Sequence, residues 1–323
     1  MNIEMIKAAA ERLAGKARYT PLLSSPFLDE IAGRRVLIKA ECLQHTGSFK
    51  FRGAWSALSA MQPDKRAKGV IAFSSGNHAQ GVALAAREHG TTAVIIMPAL
   101  KINNTKALGA EVVLYDRATE DHDEIGARLA AERGLTLVKP FDDELVIAGQ
   151  GTNGLEIAAQ AAELGITSAQ VLVPCGGGGL TSGSAVALEA VAPEMTVHPV
   201  EPAGFDDVAR SLKSGQLETN ATLTGSLCDA IITPTAGNLT FPHMKRLCGA
   251  GFVVSDEECL QAMAEAFTRL KSVLEPGGAA ALAAALYHGD TLQSDTVICV
   301  ASGGNVDADV FIKALEHYAE GSK

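Results

Sequence analysis

Residues Val171–Ala190 read VLVPCGGGGLTSGSAVALEA: an apolar β-rich run, four successive glycines, then a helical pattern of small residues. A strand that turns through glycine straight into a helix is the building unit of a parallel sheet covered by helices. Gly176 to Gly179 let backbone N–H groups converge, and the helix start adds its dipole, so the bend suits a phosphate. A tight strand-to-helix turn is the competing explanation, although four glycines exceed what a turn requires. Two rival phosphate motifs fit less well. A Walker loop needs Gly-Lys-Ser/Thr, and the dinucleotide fingerprint finds only Glu201, about twenty residues onward at the end of the next strand.

Outward from this bend the same alternation continues. Strands are expected near Val36, Val70, Val94, Val112, Leu137, Val171, Val197 and Val297. Helical stretches such as AQGVALAAREH, IGARLAAERG, NGLEIAAQAAELG, ECLQAMAEAFTRL and DADVFIKALEHYA lie between or after them. The chain is therefore α/β. Its 323 residues suggest two domains at about 150 residues each. No repeat, low-complexity tract or Pro/Ser-rich linker separates them, and the strands from Val70 to Leu137 form a self-sufficient group of four. One domain is thus expected inside the other, with a ligand cleft between.

The hydrophobic fraction is 47%, the charged fraction 20% and the net charge −10, with no Lys/Arg run to offset it. Such a balance argues against phosphate backbones and anionic membranes as partners. Cys42, Cys175, Cys228, Cys248, Cys259 and Cys299 form no C-x-x-C pair and read as reduced packing residues. The opening MNIEMIKAAAERLAG has neither the basic head nor the apolar stretch of a signal peptide, and no stretch is apolar enough to span a bilayer. A cytoplasmic protein is expected.

Three further segments carry chemistry. In TGSFKFRGAW, Thr46–Trp55, Ser48 stands at a plausible N-cap and Lys50 within the first helical turn. The helix dipole disfavours a lysine there and lowers its pKa, which gives the neutral amine a Schiff-base lysine needs. A solvated helix lysine is the alternative. In FSSGNHAQG, Phe73–Gly81, the residues Ser74, Ser75, Gly76 and Asn77 bring donors to a helix start, an arrangement suited to a carboxylate. His78 is ambiguous, because a histidine just inside a helix is more often structural than catalytic. In VASGGNVDAD, Ser302 ends a strand where ligands bind in open α/β sheets, with a plain helix cap by Ser302 or Asn305 as the other explanation.

Taken together and in this order, the four segments resemble the fold type II enzymes that use pyridoxal 5'-phosphate (PLP), in the serine/threonine dehydratase and serine racemase branch. The resemblance implies two open twisted sheets with flanking helices, like the tryptophan synthase β fold. It implies a large PLP-binding domain of residues 1–48 and 147–323 and a small domain of 49–146, core about 68–140, closing over the active site. Lys50 would be the Schiff-base lysine and general base, with Phe49 packing near the cofactor ring. Asn77 would meet the ring hydroxyl, Ser302 the ring nitrogen, and Gly176, Gly177, Gly178, Gly179 and Leu180 the phosphate. Ser74, Ser75, Gly76, Asn77 and His78 would take the substrate carboxylate. Ser75 also matches the serine on the opposite cofactor face in racemases of this branch.

VEPAGFDD resembles the branch's divalent cation site, which implies Mg²⁺ or Ca²⁺ in a structural role on the carboxylates of Glu201 and Asp207 and the carbonyl of Phe205. A loop with Asp206 or Asp207 capping a helix is the alternative. CDAIITPTAGNLTF departs from the branch pattern where the substrate side chain and cofactor rim would be. The chain stops soon after its last helix, so a regulatory domain and feedback inhibition by isoleucine are not expected. The implied activity is β-elimination of a β-hydroxy amino acid such as L-serine or L-threonine to a 2-oxo acid and ammonia, by a homodimer. A 3-hydroxyaspartate dehydratase, for which His122 is a candidate substrate contact, and a serine or aspartate racemase share the motifs. A nucleotide-binding or amino-acid-sensing protein without catalysis is the reading from another class.

Overall fold

The computed structural model describes residues 1–74, 76–98, 102–116 and 119–321. The described residues form ten strands: β1 Leu22–Ser24, β2 Arg35–Lys39, β3 Val70–Phe73, β4 Ala93–Met97, β5 Glu111–Leu114, β6 Thr136–Leu137, β7 Ala169–Pro174, β8 Met195–Pro202, β9 Phe252–Val254 and β10 Thr296–Val300. Six form one sheet in the order β1-β2-β10-β7-β8-β9, and four form another in the order β5-β4-β3-β6. Every pairing is parallel except β1 with β2. Parallel sheets are covered by helices on both faces, which is why AVIIM and VLVP are continuous apolar runs, buried throughout, instead of alternating ones.

Each of the eight expected strand centres lies in a strand. The two additional strands, β1 (LLS) and β9 (FVV), are three-residue edges, too short to stand out as strands. The helix Pro276–Tyr287, also unforeseen, is an Ala-rich element buried along nearly all its length in the core of the larger sheet. It is apolar all round and so has no amphipathic period to detect. Among the described residues, no helix is long and apolar enough to cross a membrane.

The four-stranded sheet is built wholly from residues 70–137, between strands β2 and β7 of the larger one. Helices Lys50–Ala60 and Glu144–Glu163 stand at the two crossings and pack on each other. The second begins at a true N-cap, where Asp143 accepts from the amides of Leu145 and Val146 at 2.8 and 3.1 Å. All six cysteines are free, and five are buried, among them Cys228 and Cys259 with sulfurs 3.6 Å apart.

Candidate active site

The carboxyl ends of β3, β7 and β10 open on one cavity of about 990 Å³. Its lining contains Phe49, Lys50, Ser74, Gly76, Asn77, His78, Gly176–Leu180 and Ser302. The four segments singled out in the sequence therefore share one cleft. Ser75 lies outside the described residues, and so does the side chain of His122.

Lys50 is the first residue of its helix, as expected, but Ser48 is not the cap. Phe49 occupies that position without a side-chain bond, while Ser48 is extended and bridges Gly303. Phe49 N also donates to Ser302 O at 3.2 Å, so the lysine segment is stitched directly to the end of β10. The Lys50 amine donates to the Pro140 carbonyl at 3.1 Å and lies 5.1 Å from the centre of the Phe49 ring. Desolvation brings this amine down to about 8, against the upward pull of the Glu275 carboxylate. A substantial neutral fraction exists near neutral pH, which suits a nucleophile or general base.

Four glycines carry β7 into the helix Gly179–Val191. Gly178 has φ +85°, which a side chain disfavours, and a Cβ on Gly177 would sit 2.3 Å from the Phe141 ring. Around the bend, Thr181 Oγ1, Thr233 Oγ1 and Gln150 Oε1 are buried without a hydrogen-bond partner and line the cleft. Buried hydroxyls lacking partners are costly, and phosphate oxygens would satisfy them. The residues present thus fit an anionic, phosphate-bearing group.

At the end of β3, Asn77 opens the helix Asn77–Glu88. Its side chain is already in a chain of bonds: Asn305 Nδ2 donates to Asn77 Oδ1 and Asn77 Nδ2 donates to Glu275 Oε1, each at 2.6 Å. One Asn77 N–H is left for a ring hydroxyl. Asn305 Nδ2 also donates to the Thr46 carbonyl at 2.7 Å. The last helix starts only at Ala308, so neither Ser302 nor Asn305 serves as its cap. His78 is buried, its Nε2 donates to the Val138 carbonyl at 2.8 Å, and Nδ1 has no partner. Burial, then the charge of Lys50, pushes its imidazole down to about 3. The ring is neutral with an accepting Nδ1, and donation to a carboxylate is left to the backbone amide.

Glu275 was not singled out in the sequence; its long-range partner Asn77 carries no local signal. Pro140, Phe141 and Gln150 were likewise missed as cleft lining, whereas residues 229–233, within the CDAIITPTAGNLTF stretch expected at the cofactor rim, do line it.

Glu201, Phe205 and Asp207 are all buried at the end of β8 and the start of the helix Asp207–Ser214. Glu201 accepts from the Val208 and Ala209 amides at 2.9 and 2.7 Å, and so caps the helix in place of Asp206. Burial and then the charge of Asp207 raise the Glu201 carboxyl well above its usual range, and burial raises Asp207 to about 6. Asp207 Oδ1 accepts from Asn220 at 2.6 Å, whereas Oδ2 is buried without a partner. Among the described residues, no group of three or more His, Cys, Asp or Glu gathers about one point. Two buried acids with an orphaned oxygen are compatible with a hard cation.

The sequence of residues 13–303 matches the family model described as pyridoxal-phosphate dependent enzyme. This chain belongs to that family. It is 41% identical to an L-threo-3-hydroxyaspartate ammonia-lyase of Pseudomonas sp over 97% of this chain and 98% of the relative. It is 36% identical to a serine racemase of Oryza sativa subsp. indica over 97% and 94%. Among solved structures, a T.th. threonine deaminase superposes with a TM-score of 0.91 at 44% identity, covering 95% of this chain and 99% of the other. These likenesses make the PLP enzyme's fold type II that of this protein.

Proposed function

We propose that this enzyme is an ammonia-lyase that eliminates the β-hydroxyl of a β-hydroxy amino acid, giving a 2-oxo acid and ammonia. What carries this reading is the convergence of a desolvated lysine amine, a glycine bend ringed by unpartnered hydroxyls and a Ser/Asn loop on one cleft. PLP, when bound, supplies the electron sink that makes a Cα proton removable. Lys50 would hold its aldehyde carbon covalently, Gly176–Leu180 with Thr181 and Thr233 its phosphate, Ser302 its ring nitrogen and Asn77 its ring hydroxyl. The Lys50 amine, when free, would take the substrate's Cα proton. Ser74, Ser75 and the amides of Gly76, Asn77 and His78 orient the substrate carboxylate, which accounts for much of the barrier reduction. Ser302 would offer the cofactor's ring nitrogen a neutral hydroxyl, a partner that suits β-elimination.

L-threo-3-hydroxyaspartate is the first substrate to try, because two ammonia-lyases of that name are 41% and 39% identical to this chain. L-Serine and L-threonine follow. Racemisation is the second reading, supported by the 36% identity to serine racemases. L- and D-serine, threonine and the four 3-hydroxyaspartate isomers, each followed for 2-oxo acid and for loss of optical purity, separate these outcomes. Absence of 2-oxo acid from every one would sink the lyase reading.

The same proposal includes a small domain of residues 49–146 that closes over the cleft, a homodimer, checked by light scattering, and a cytoplasmic setting in keeping with six unpaired cysteines. It also includes structural Mg²⁺ or Ca²⁺ held by Glu201, Asp207 and the Phe205 carbonyl, supported by the orphaned Asp207 oxygen.

A further inference from the structure

Arg52 lies fully buried beneath the cleft, two residues along the helix from Lys50. Its Nε and Nη2 donate to Glu41 Oε2 and Oε1, both at 2.8 Å. Its Nη1 and Nη2 donate to Glu156 Oε1 and Oε2 at 2.6 and 2.8 Å. Thr152 Oγ1 and the Arg18 carbonyl accept at 3.2 and 3.3 Å. Lys39 completes the cluster, donating to Glu156 Oε2 at 2.6 Å, the Thr20 carbonyl at 2.7 Å and Gln160 Oε1 at 3.0 Å. Two cations face two carboxylates, and one planar guanidinium is held in two forks at once.

Such a cluster is a poor device for stability alone, since well-packed apolar residues of similar volume often serve as well or better. What a double fork does provide is a single orientation. Successive helix residues are about 100° apart, so Arg52 stands about 200° round the axis from Lys50, on the opposite side. Fixing one side in rotation fixes the direction of the other. No side-chain cap does this at the helix start. On the flank, a Cβ on Gly149 would come 2.4 Å from the Arg52 carbonyl oxygen, so the helices Lys50–Ala60 and Glu144–Glu163 touch backbone to backbone, and the Arg52 fork to Glu156 spans this contact, with Trp55 Nε1 donating to the Arg12 carbonyl as a further tie of the same helix.

We propose that Arg52 is a positioning residue: its double fork sets the rotation of the Lys50–Ala60 helix and so aims the Lys50 amine into the cleft. This inference rests on the reading of Lys50 as the cofactor-holding amine.

Arg52→Lys keeps the charge and loses both forks, while Lys39→Met disturbs the same cluster from β2. The holoenzyme and both variants are stripped of PLP and reloaded. Covalent capture is followed by visible absorbance and circular dichroism, by borohydride trapping with peptide mapping, by thermal midpoint, and by kcat and KM. Arg52→Lys is expected to capture PLP and turn over on the order of a hundredfold more slowly, with an altered visible dichroism and little change in KM. Lys39→Met is expected to lose stability but to capture PLP at the unsubstituted rate. If both variants lose stability while capture and dichroism stay unchanged, the cluster is only structural and the proposal is overturned. A borohydride label on another lysine of the unsubstituted protein overturns the Lys50 reading, and this proposal with it. Should Arg52→Lys fail to fold, Glu156→Gln, which spoils one fork, is read in the same way: slowed capture supports the proposal and unchanged capture overturns it.

Discussion

Asn77 Nδ2 donates to Glu275 Oε1 at 2.6 Å, and this bond joins the helix after β3 to the N-cap of the helix Pro276–Tyr287. It brings a carboxylate to the edge of the cleft, where it acts on Lys50 through space. Burial lowers the amine from 10.5 to about 8 and Glu275 opposes that fall. Glu275→Gln should therefore lower the amine further. The pH dependence of covalent PLP capture by the apoprotein is expected to have its midpoint near 8, and a lower one in the variant. A midpoint near 10.5 in the unsubstituted protein would contradict the burial of the amine.

The same shift has a stability consequence. The folded apoprotein binds the Lys50 proton less tightly than the unfolded chain, so the amine opposes folding below about 8 and this penalty is relieved as pH rises from about 8 to 10.5. Lys50→Met, which has no proton to lose, should remove that rise. Paired denaturant titrations of the two apoproteins across this window measure it, and identical slopes would exclude the effect.

His78 is held neutral by burial and by Lys50, with its proton on Nε2 toward Val138. Its ring nitrogens should show no titration between about pH 5 and 8, where an ordinary histidine changes charge. Nitrogen-15 NMR reads this directly, and a midpoint near 6.5 would place the ring in water instead.

A methyl group on Gly177 would meet the Phe141 ring at 2.3 Å. Overpacking costs about 1–3 kcal/mol, so Gly177→Ala is expected to weaken PLP binding about tenfold to a hundredfold if the bend is displaced. Equilibrium PLP titration checks this, with far-ultraviolet dichroism showing that the fold survives. Undiminished affinity would remove the bend from the cofactor site.

The orphaned Asp207 Oδ2 beside Glu201 predicts stabilisation by a divalent cation. At a hundred times its dissociation constant, Mg²⁺ or Ca²⁺ would add about 2.7 kcal/mol, lost again with chelator and absent from Asp207→Asn. A thermal midpoint indifferent to both ions would exclude the site.

Sequence reading found the segments that share the cleft where they are written in consecutive residues. The tetraglycine bend, the Ser74–Asn77 loop and the Ser302 turn each follow a buried parallel strand, whose apolar run is itself a local signal. It failed where the partner is distant in the chain. Glu275 acquires its meaning from Asn77, Glu201 became a helix cap through amides seven and eight residues on, and Arg52 looks like any helix arginine until Glu41 and Glu156 fold against it. Ser48 was misread as a cap: its backbone is extended, as a cap's commonly is, but its buried Oγ accepts no helix amide.

Strand β10 lies in the interior of the six-stranded sheet, between β2 and β7, although it is the tenth in chain order. During synthesis the ribosome must release residues up to Val300 before that gap is filled, and Ser302 and Asn305 emerge later still. The four-stranded sheet, contiguous from 70 to 137, has no such wait. Nascent chains therefore carry unpaired β2 and β7 edges, an aggregation hazard that ends only when the Ser302 end of the cleft is delivered. On the proposed role of Ser302, vitamin loading would wait for the finished polypeptide.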